Sequence, residues 1–161
     1  MLEDIKISTT YSGIKKTQDN EDDLLLIELE ETSTIAGVFT QSLTSSASVN
    51  QCKKNLTKYK EPEVRAILVN SGNANAFTGK LGEETVLKIS KYLSKKLNCS
   101  INQIYTASTG VIGEQLDPDI VIRSIKLMSP FKSPDWIKAA TAIKTTDTFA
   151  KVSKKVFKID G

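Results

Sequence analysis

The sequence predicts an α/β fold on three observations. Short apolar runs of strand length, Leu24 to Leu29 and Val64 to Val69, are separated by longer stretches whose apolar residues recur every three or four positions. The clearest of these stretches is Glu83 to Leu97, where Val86, Ile89, Leu93 and Leu97 share one helical face and Lys88, Lys91 and Lys95 turn away from it. Finally, Tyr105 to Gly113 opens with strand-type alternation and passes through small residues to Gly110 and Gly113, before a further periodic segment starts at Asp117.

In chain order, residues 1 to 12 read as a polar, Thr-rich lead. Asp19-Asn-Glu-Asp-Asp23 reads as a solvated acidic turn, because neighbouring carboxylates repel and rarely converge on one ion. Leu24 to Leu29 is a buried strand and Thr34 to Thr40 a second; the polar turn Glu30 to Ser33 between them suggests a hairpin. Ser46 to Tyr59 carries Val49, Cys52 and Leu56 at helical spacing. Val64 to Val69 runs into Asn70-Ser-Gly-Asn-Ala-Asn-Ala76, where asparagine side chains can bond neighbouring backbone and fix an irregular loop.

After the Glu83 helix, Ser100 to Ser108 supplies the next strand. Asp117-Pro118 has the cap-then-proline order of a helix start, with Val121, Ile125 and Met128 on one face. Ser133-Pro134-Asp135 repeats that signal ahead of Trp136, Ala140 and Ile143. Trp136, the single tryptophan, reads as a packing anchor. Thr145-Thr-Asp-Thr148 ends that helix and leads into an extended run, Lys151 to Ile159, closing at Asp160-Gly161.

At 161 residues, with 39% hydrophobic and 25% charged, the composition is that of a globular domain with one core, so residues 1–161 are read as a single domain portion. A net charge of +3 with scattered lysine pairs argues against nucleic acid as a partner. No apolar run approaches the ~20 residues of a membrane helix, and the N-terminus has no signal-type core. Cys52 and Cys99 lie far apart without metal-like spacing, which favours a reducing, cytoplasmic compartment. The chain has no histidine, so a Ser-His-Asp relay is excluded within it and the usual zinc sites lose their common ligand. No metal is expected.

The chemistry-bearing candidates cluster at element ends. Ser108, Thr109 and Gly110 offer hydroxyls and unencumbered backbone N–H groups, the donors needed where negative charge develops on an oxygen. A plain turn accounts for the same residues. Thr145 to Thr148 crowds donors and acceptors at another element end, where capping explains them almost as well.

Four segments in order, Ala36-Gly-Val-Phe-Thr40, Arg65-Ala-Ile-Leu-Val-Asn-Ser-Gly-Asn-Ala-Asn-Ala-Phe-Thr-Gly79, Ser108-Thr-Gly-Val-Ile-Gly113 and Ala142-Ile-Lys-Thr-Thr-Asp-Thr148, together resemble the first half of the ornithine acetyltransferase (glutamate N-acetyltransferase) family of arginine biosynthesis. The resemblance runs from about Gly13 to Gly161. It implies a layered sandwich of mixed β-sheet covered by helices, the N-terminal portion of a self-cleaving two-chain acyltransferase. In that family the precursor cuts itself before a threonine, which becomes the N-terminal nucleophile of the second (beta) chain; its own α-amine can serve as the base that histidine supplies elsewhere.

The resemblance further implies that acetyl passes from N-acetylornithine to the threonine and then to glutamate, releasing ornithine and N-acetylglutamate, with no cofactor. Thr109 and Gly110 match the oxyanion-hole pair, and Thr145 a substrate-binding threonine, with Thr146 as the alternative register. The motifs are shared by members that also take acetyl-CoA and leave that donor open. Phe77 stands where the family commonly has a cysteine, which leaves a packing role for that position. The family's Lys-Gly-Ser-Gly-Met motif and Pro-Asn-Met-Ala-Thr cleavage site are not in the chain, so it is expected to lack the C-terminal end of the first chain and to be inactive alone, working in a hetero-oligomer of two chain types. A related N-terminal-nucleophile amidase or aminopeptidase, or a non-catalytic assembly piece, are the competing expectations.

Overall fold

Among the described residues four strands pair in chain order into one mixed sheet: β1 (Lys6–Thr10), β2 (Leu24–Glu28), β3 (Ala66–Asn73) and β4 (Ile104–Val111). The structure, a computed structural model, describes residues 4–16, 20–58 and 60–156. β1 runs antiparallel to β2 with Ile7 opposite Ile27, and β2 antiparallel to β3 with Leu26 opposite Leu68. β3 and β4 are parallel, from Ala66 opposite Ile104 to Gly72 opposite Gly110. A parallel pair needs a long crossover, and α2 (Gly79–Lys96) supplies it. The other helices are α1 (Ala47–Lys58), α3 (Pro118–Leu127) and α4 (Trp136–Ile143).

The alternation along each strand sorts side chains to two faces. Leu24 and Leu26, Ala66 and Leu68, and Ile104 turn to one face, where they pack with Ile89 and Leu93 of α2 and Val121 and Ile125 of α3. Ile7, Leu25, Ile27 and Val69 turn to the other, against Trp136, Ala139 and Ala142 of α4. The unbroken apolar run of β2 is thus the signature of a strand covered on both sides. Fully burying each of these large aliphatic side chains contributes about 1.5–3 kcal/mol. Trp136 anchors α4 as the sequence suggests.

Both proline-marked helix starts form. Asp117 caps α3 by accepting from the Asp119 N–H at 2.8 Å, and Asp135 caps α4 by accepting from the Lys138 N–H at 2.9 Å. α1 takes a different post, along the free edge of β4. Asn55 Nδ2 donates to the Ile104 carbonyl at 3.0 Å, the Cys52 thiol to the Thr106 carbonyl at 3.3 Å, and the Ser48 and Ser108 hydroxyls meet at 3.0 Å. A bare edge strand would expose such carbonyls as a template for another chain; here a helix occupies them.

Several expectations change. The N-terminal lead contains β1, an edge strand that needs only one apolar residue, Ile7, on its covered face beside buried Ser8. The expected hairpin of Leu24–Leu29 with Thr34–Thr40 does not form: both sides of β2 are already taken by β1 and β3, and the second segment retains a single bridge, Thr34 to Glu63. Residues 151–156 of the expected extended run join no helix or sheet, and the rest of that run to Ile159 and the closing Asp160-Gly161 lie outside the described residues, as do residues 1–3, Asp19 and Tyr59. Among the described residues no helix is long and apolar enough to cross a membrane.

Candidate active site

The carboxyl ends of β3 and β4 lie side by side, and glycine makes that approach possible. Thr109 pairs with Ser71 and Gly110 with Gly72, after which the register slips at Asn73. Gly110 has φ +134° and Gly72 φ +96°, in the region that favours glycine. A Cβ on Gly72 would stand 2.6 Å from the Cα of Lys15, so a third backbone segment packs against the same point. Thr109 is half-buried and Gly110 exposed at the strand end.

The asparagine-rich stretch expected as a loop from Asn70 is strand as far as Asn73, because β4 pairs with it to that point, and its side chains fix the irregular turn that follows. Asn70 Nδ2 donates to the Asn73 carbonyl (2.8 Å), Asn73 Nδ2 to the Glu114 carbonyl (3.0 Å), and Asn75 Nδ2 to the Gly82 carbonyl (3.2 Å). Asn73 Oδ1 accepts from the Asn75 N–H at 2.7 Å and Asn75 Oδ1 from the Thr78 hydroxyl at 2.8 Å. These buried amides stand in for backbone partners that an irregular loop cannot provide. Their work is to hold the loop, and through Ala74 N–H to the Val111 carbonyl (2.8 Å) and Gly113 N–H to the Ala76 carbonyl (2.9 Å) to hold the segment after Gly110 against it. Phe77 does not pack as expected: it is 70% exposed with φ +56°, lining a hollow of about 370 Å³ with Thr44, Ala47, Asn50 and Thr78.

Thr145 follows the C-terminus of α4 and is half-buried, with Thr146 exposed. The Ser71 hydroxyl donates to the Ala142 carbonyl at 2.7 Å. Ser71, the strand partner of Thr109, is therefore tied directly to the helix end that leads into Thr145. Among the described residues neither the Thr109 nor the Thr145 hydroxyl forms a hydrogen bond within the chain.

Two acids of the expected solvated turn, Glu21 and Asp23, are instead bound within the fold. Asp23 is wholly buried and accepts from the Ser12 N–H (2.7 Å), the Ser12 hydroxyl (2.6 Å) and the Lys15 N–H (2.9 Å). Glu21 receives Lys15 Nζ on one oxygen at 2.9 Å and Lys144 Nζ on the other at 3.3 Å. The hydrogen bonds from Lys15 and then Lys144 hold its carboxyl below the usual value. Sequence adjacency misled because these acids have separate partners, contributed from before the loop and from far along the chain. At the β4 edge, burial pushes the Cys52 thiol up, opposed by its bond to the Thr106 carbonyl. Among the described residues no cluster of three or more His, Cys, Asp or Glu side chains could hold a metal ion.

The family model described as ArgJ matches residues 6–161. The chain belongs to the ArgJ family. It is 41% identical over 160 residues to the arginine biosynthesis bifunctional protein ArgJ of Mesorhizobium japonicum, covering 99% of this chain and 38% of that protein, and 39% identical over 161 residues to the same-named protein of Rhizobium meliloti, with the same coverage. The chain thus spans well under half the length of these curated ArgJ relatives. Among solved structures it resembles the ArgJ protein of Bacillus halodurans, with a TM-score of 0.78 and 26% identity over 89% of this chain and 73% of that one. It also resembles the ornithine acetyltransferase of Mycobacterium tuberculosis, solved in complex with ornithine, with a TM-score of 0.73 and 28% identity over 90% and 77%. The mixed sheet with helices on both faces is therefore an ArgJ architecture.

Proposed function

We propose that this ArgJ-family chain forms part of the active site of an ornithine acetyltransferase, which moves acetyl from N-acetylornithine to glutamate in arginine biosynthesis. The observation that carries the reading is the parallel strand end where Thr109 and Gly110 lie beside Ser71 and Gly72, within a chain of this family. Residues 1–161 are one portion of a single domain, completed by a second chain from the same precursor that begins with the nucleophilic threonine. That threonine's hydroxyl oxygen attacks the acetyl carbonyl while its α-amine takes the hydroxyl proton; the α-ammonium then gives that proton to the ornithine nitrogen as the C–N bond breaks and ornithine leaves as the amine. The Thr109 hydroxyl and the Gly110 N–H donate to the oxygen on which negative charge develops.

Glutamate's amine then takes the acetyl group, which restores the threonine. Thr145 contacts the substrate from the end of α4; its half-burial and uncommitted hydroxyl support this over the exposed Thr146. Both cysteines are free thiols, which supports a reducing, cytoplasmic setting.

The test is expression of the complete gene without added protease, followed by intact-mass measurement and an acetyl-transfer assay. Two chains, the second beginning with threonine, and N-acetylglutamate formed only when glutamate is present are expected. An uncut product, or ornithine released at the same rate without glutamate, would remove the acetyltransferase reading. Residues 1–161 by themselves are expected to give no turnover.

A further inference from the structure

The Glu21 carboxylate is shared by two ammonium groups that come from opposite ends of the chain, Lys15 at 2.9 Å and Lys144 at 3.3 Å. Lys144 is the residue that ends α4, immediately before Thr145. Lys15 is mostly buried, with its N–H fixed to Asp23 and its backbone seated against Gly72, the strand partner of Gly110. A continuous line of contacts therefore runs from Gly110 through Gly72, Lys15 and Glu21 to Lys144. From these contacts we infer that Glu21 is a positioning residue: it clamps the end of α4, and with it Thr145, against the carboxyl ends of β3 and β4.

Charge explains why one carboxylate can do this. The side chains of Lys15, Glu21 and Lys144 retain 11%, 32% and 19% of their exposure, so salt screens them less than open surface charges. With Glu21 ionised, one anion sits between two cations and attracts both. With that charge removed, two ammonium groups lose the anion they share, and the helix end on which Lys144 sits is the more easily displaced. Ser71 Oγ on the Ala142 carbonyl is the second tether. It acts two residues earlier, inside α4, and leaves the direction of residues 144–148 to the Glu21 clamp.

The functional consequence rests on the acetyltransferase reading, because only there does Thr145 meet substrate. Three variants of the full-length protein separate the two ideas. Glu21→Gln is expected to raise the KM for N-acetylornithine by roughly threefold to tenfold with kcat nearly unchanged, since a small misplacement of a binding group weakens substrate contacts. Lys144→Met should have a smaller effect. The double variant should be better than Glu21→Gln alone, because it removes one of the two opposed cations; a role for Glu21 in packing alone predicts no such rescue.

Amide hydrogen exchange over residues 144–148 gives a readout that needs no activity: faster in Glu21→Gln, and slower again in the double variant. Should the wild-type protein fail to transfer acetyl, the reading above falls, while exchange still decides the clamp. Unchanged exchange at 144–148, a rise spread evenly over the sheet, or a double variant worse than Glu21→Gln would each overturn it. If Glu21→Gln fails to fold, Lys144→Met carries the test, with local exchange at 144–148 supporting the clamp and its absence overturning it.

Discussion

Gly110 and Gly72 face each other across β3 and β4 so closely that a Cβ on Gly110 would lie 2.3 Å from the Gly72 carbonyl carbon. No rotation of a side chain relieves such a contact, because the obstacle is backbone. Gly110→Ala also places an alanine at φ +134°. The left-handed strain of about 1–2 kcal/mol and the overpacking of about 1–3 kcal/mol act together. Urea unfolding should therefore show a stability loss of roughly 2–5 kcal/mol, and an unchanged midpoint would contradict the described approach.

Asn55 offers a cleaner test of how the β4 edge is protected. Its amide donates to the Ile104 carbonyl in a buried setting. Asn55→Ala leaves that acceptor without its side-chain donor, at a cost of about 1–3 kcal/mol. The unfolding midpoint should fall accordingly, and light scattering at raised concentration should show more association than for Thr57→Ala on the exposed side of the same helix.

Alkaline pH should weaken the fold through two neighbours. Burial raises the Cys52 thiol from its ordinary 9.0, and raises the Tyr105 hydroxyl from 10.0 with the nearby Cys52 adding to it. Each holds its proton more tightly folded than unfolded, so its contribution is whole below its ordinary value and is lost as pH climbs through the raised one. Stability measured from pH 8 to 11 should decline, beginning near pH 9. Cys52→Ala should flatten the first part of that decline; an identical slope in the variant would assign it elsewhere.

Thr109→Ala in the full-length protein should lower kcat by about 10²–10³, the cost of one oxyanion donor. Its thermal midpoint should hardly move, because the hydroxyl makes no bond within the described residues. Thr145→Ala should act chiefly on the KM for N-acetylornithine. Undiminished turnover in Thr109→Ala would take that residue out of the mechanism.

The readable parts of the sequence were those where one local rule sufficed. Asp117-Pro118 and Asp135 announced their helices through capping, and Leu24 to Leu29 announced a buried strand, which the structure covers on both sides at Leu24 to Leu26. β1 was hidden because an edge strand needs so little apolar pattern. Thr34 to Thr40 had a strand's composition, but strand pairing is a competition for a limited number of edges, and no window of sequence shows which edges are taken. The same holds for Glu21 and Asp23: their partners at positions 12, 15 and 144 are set by the finished fold. Thr109 and Gly110 could be singled out, but as a turn after a strand ending at Ser108; β4 instead continues through Val111, because its pairing with Ser71 and Gly72 emerges only once α2 has returned the chain alongside β3.

The helix along the outer edge of β4 bears on synthesis. Residues 47–58 leave the ribosome long before residues 104–111, so when β4 joins the sheet, the segment that guards its edge has already been synthesised. The opposite face is less fortunate: Ile7, Leu25 and Val69 await a helix that begins at Trp136. Until residues 136–143 are made, the nascent chain's hazard is thus an uncovered apolar face rather than an open strand, and a chaperone that engages this chain would find its footing on that face.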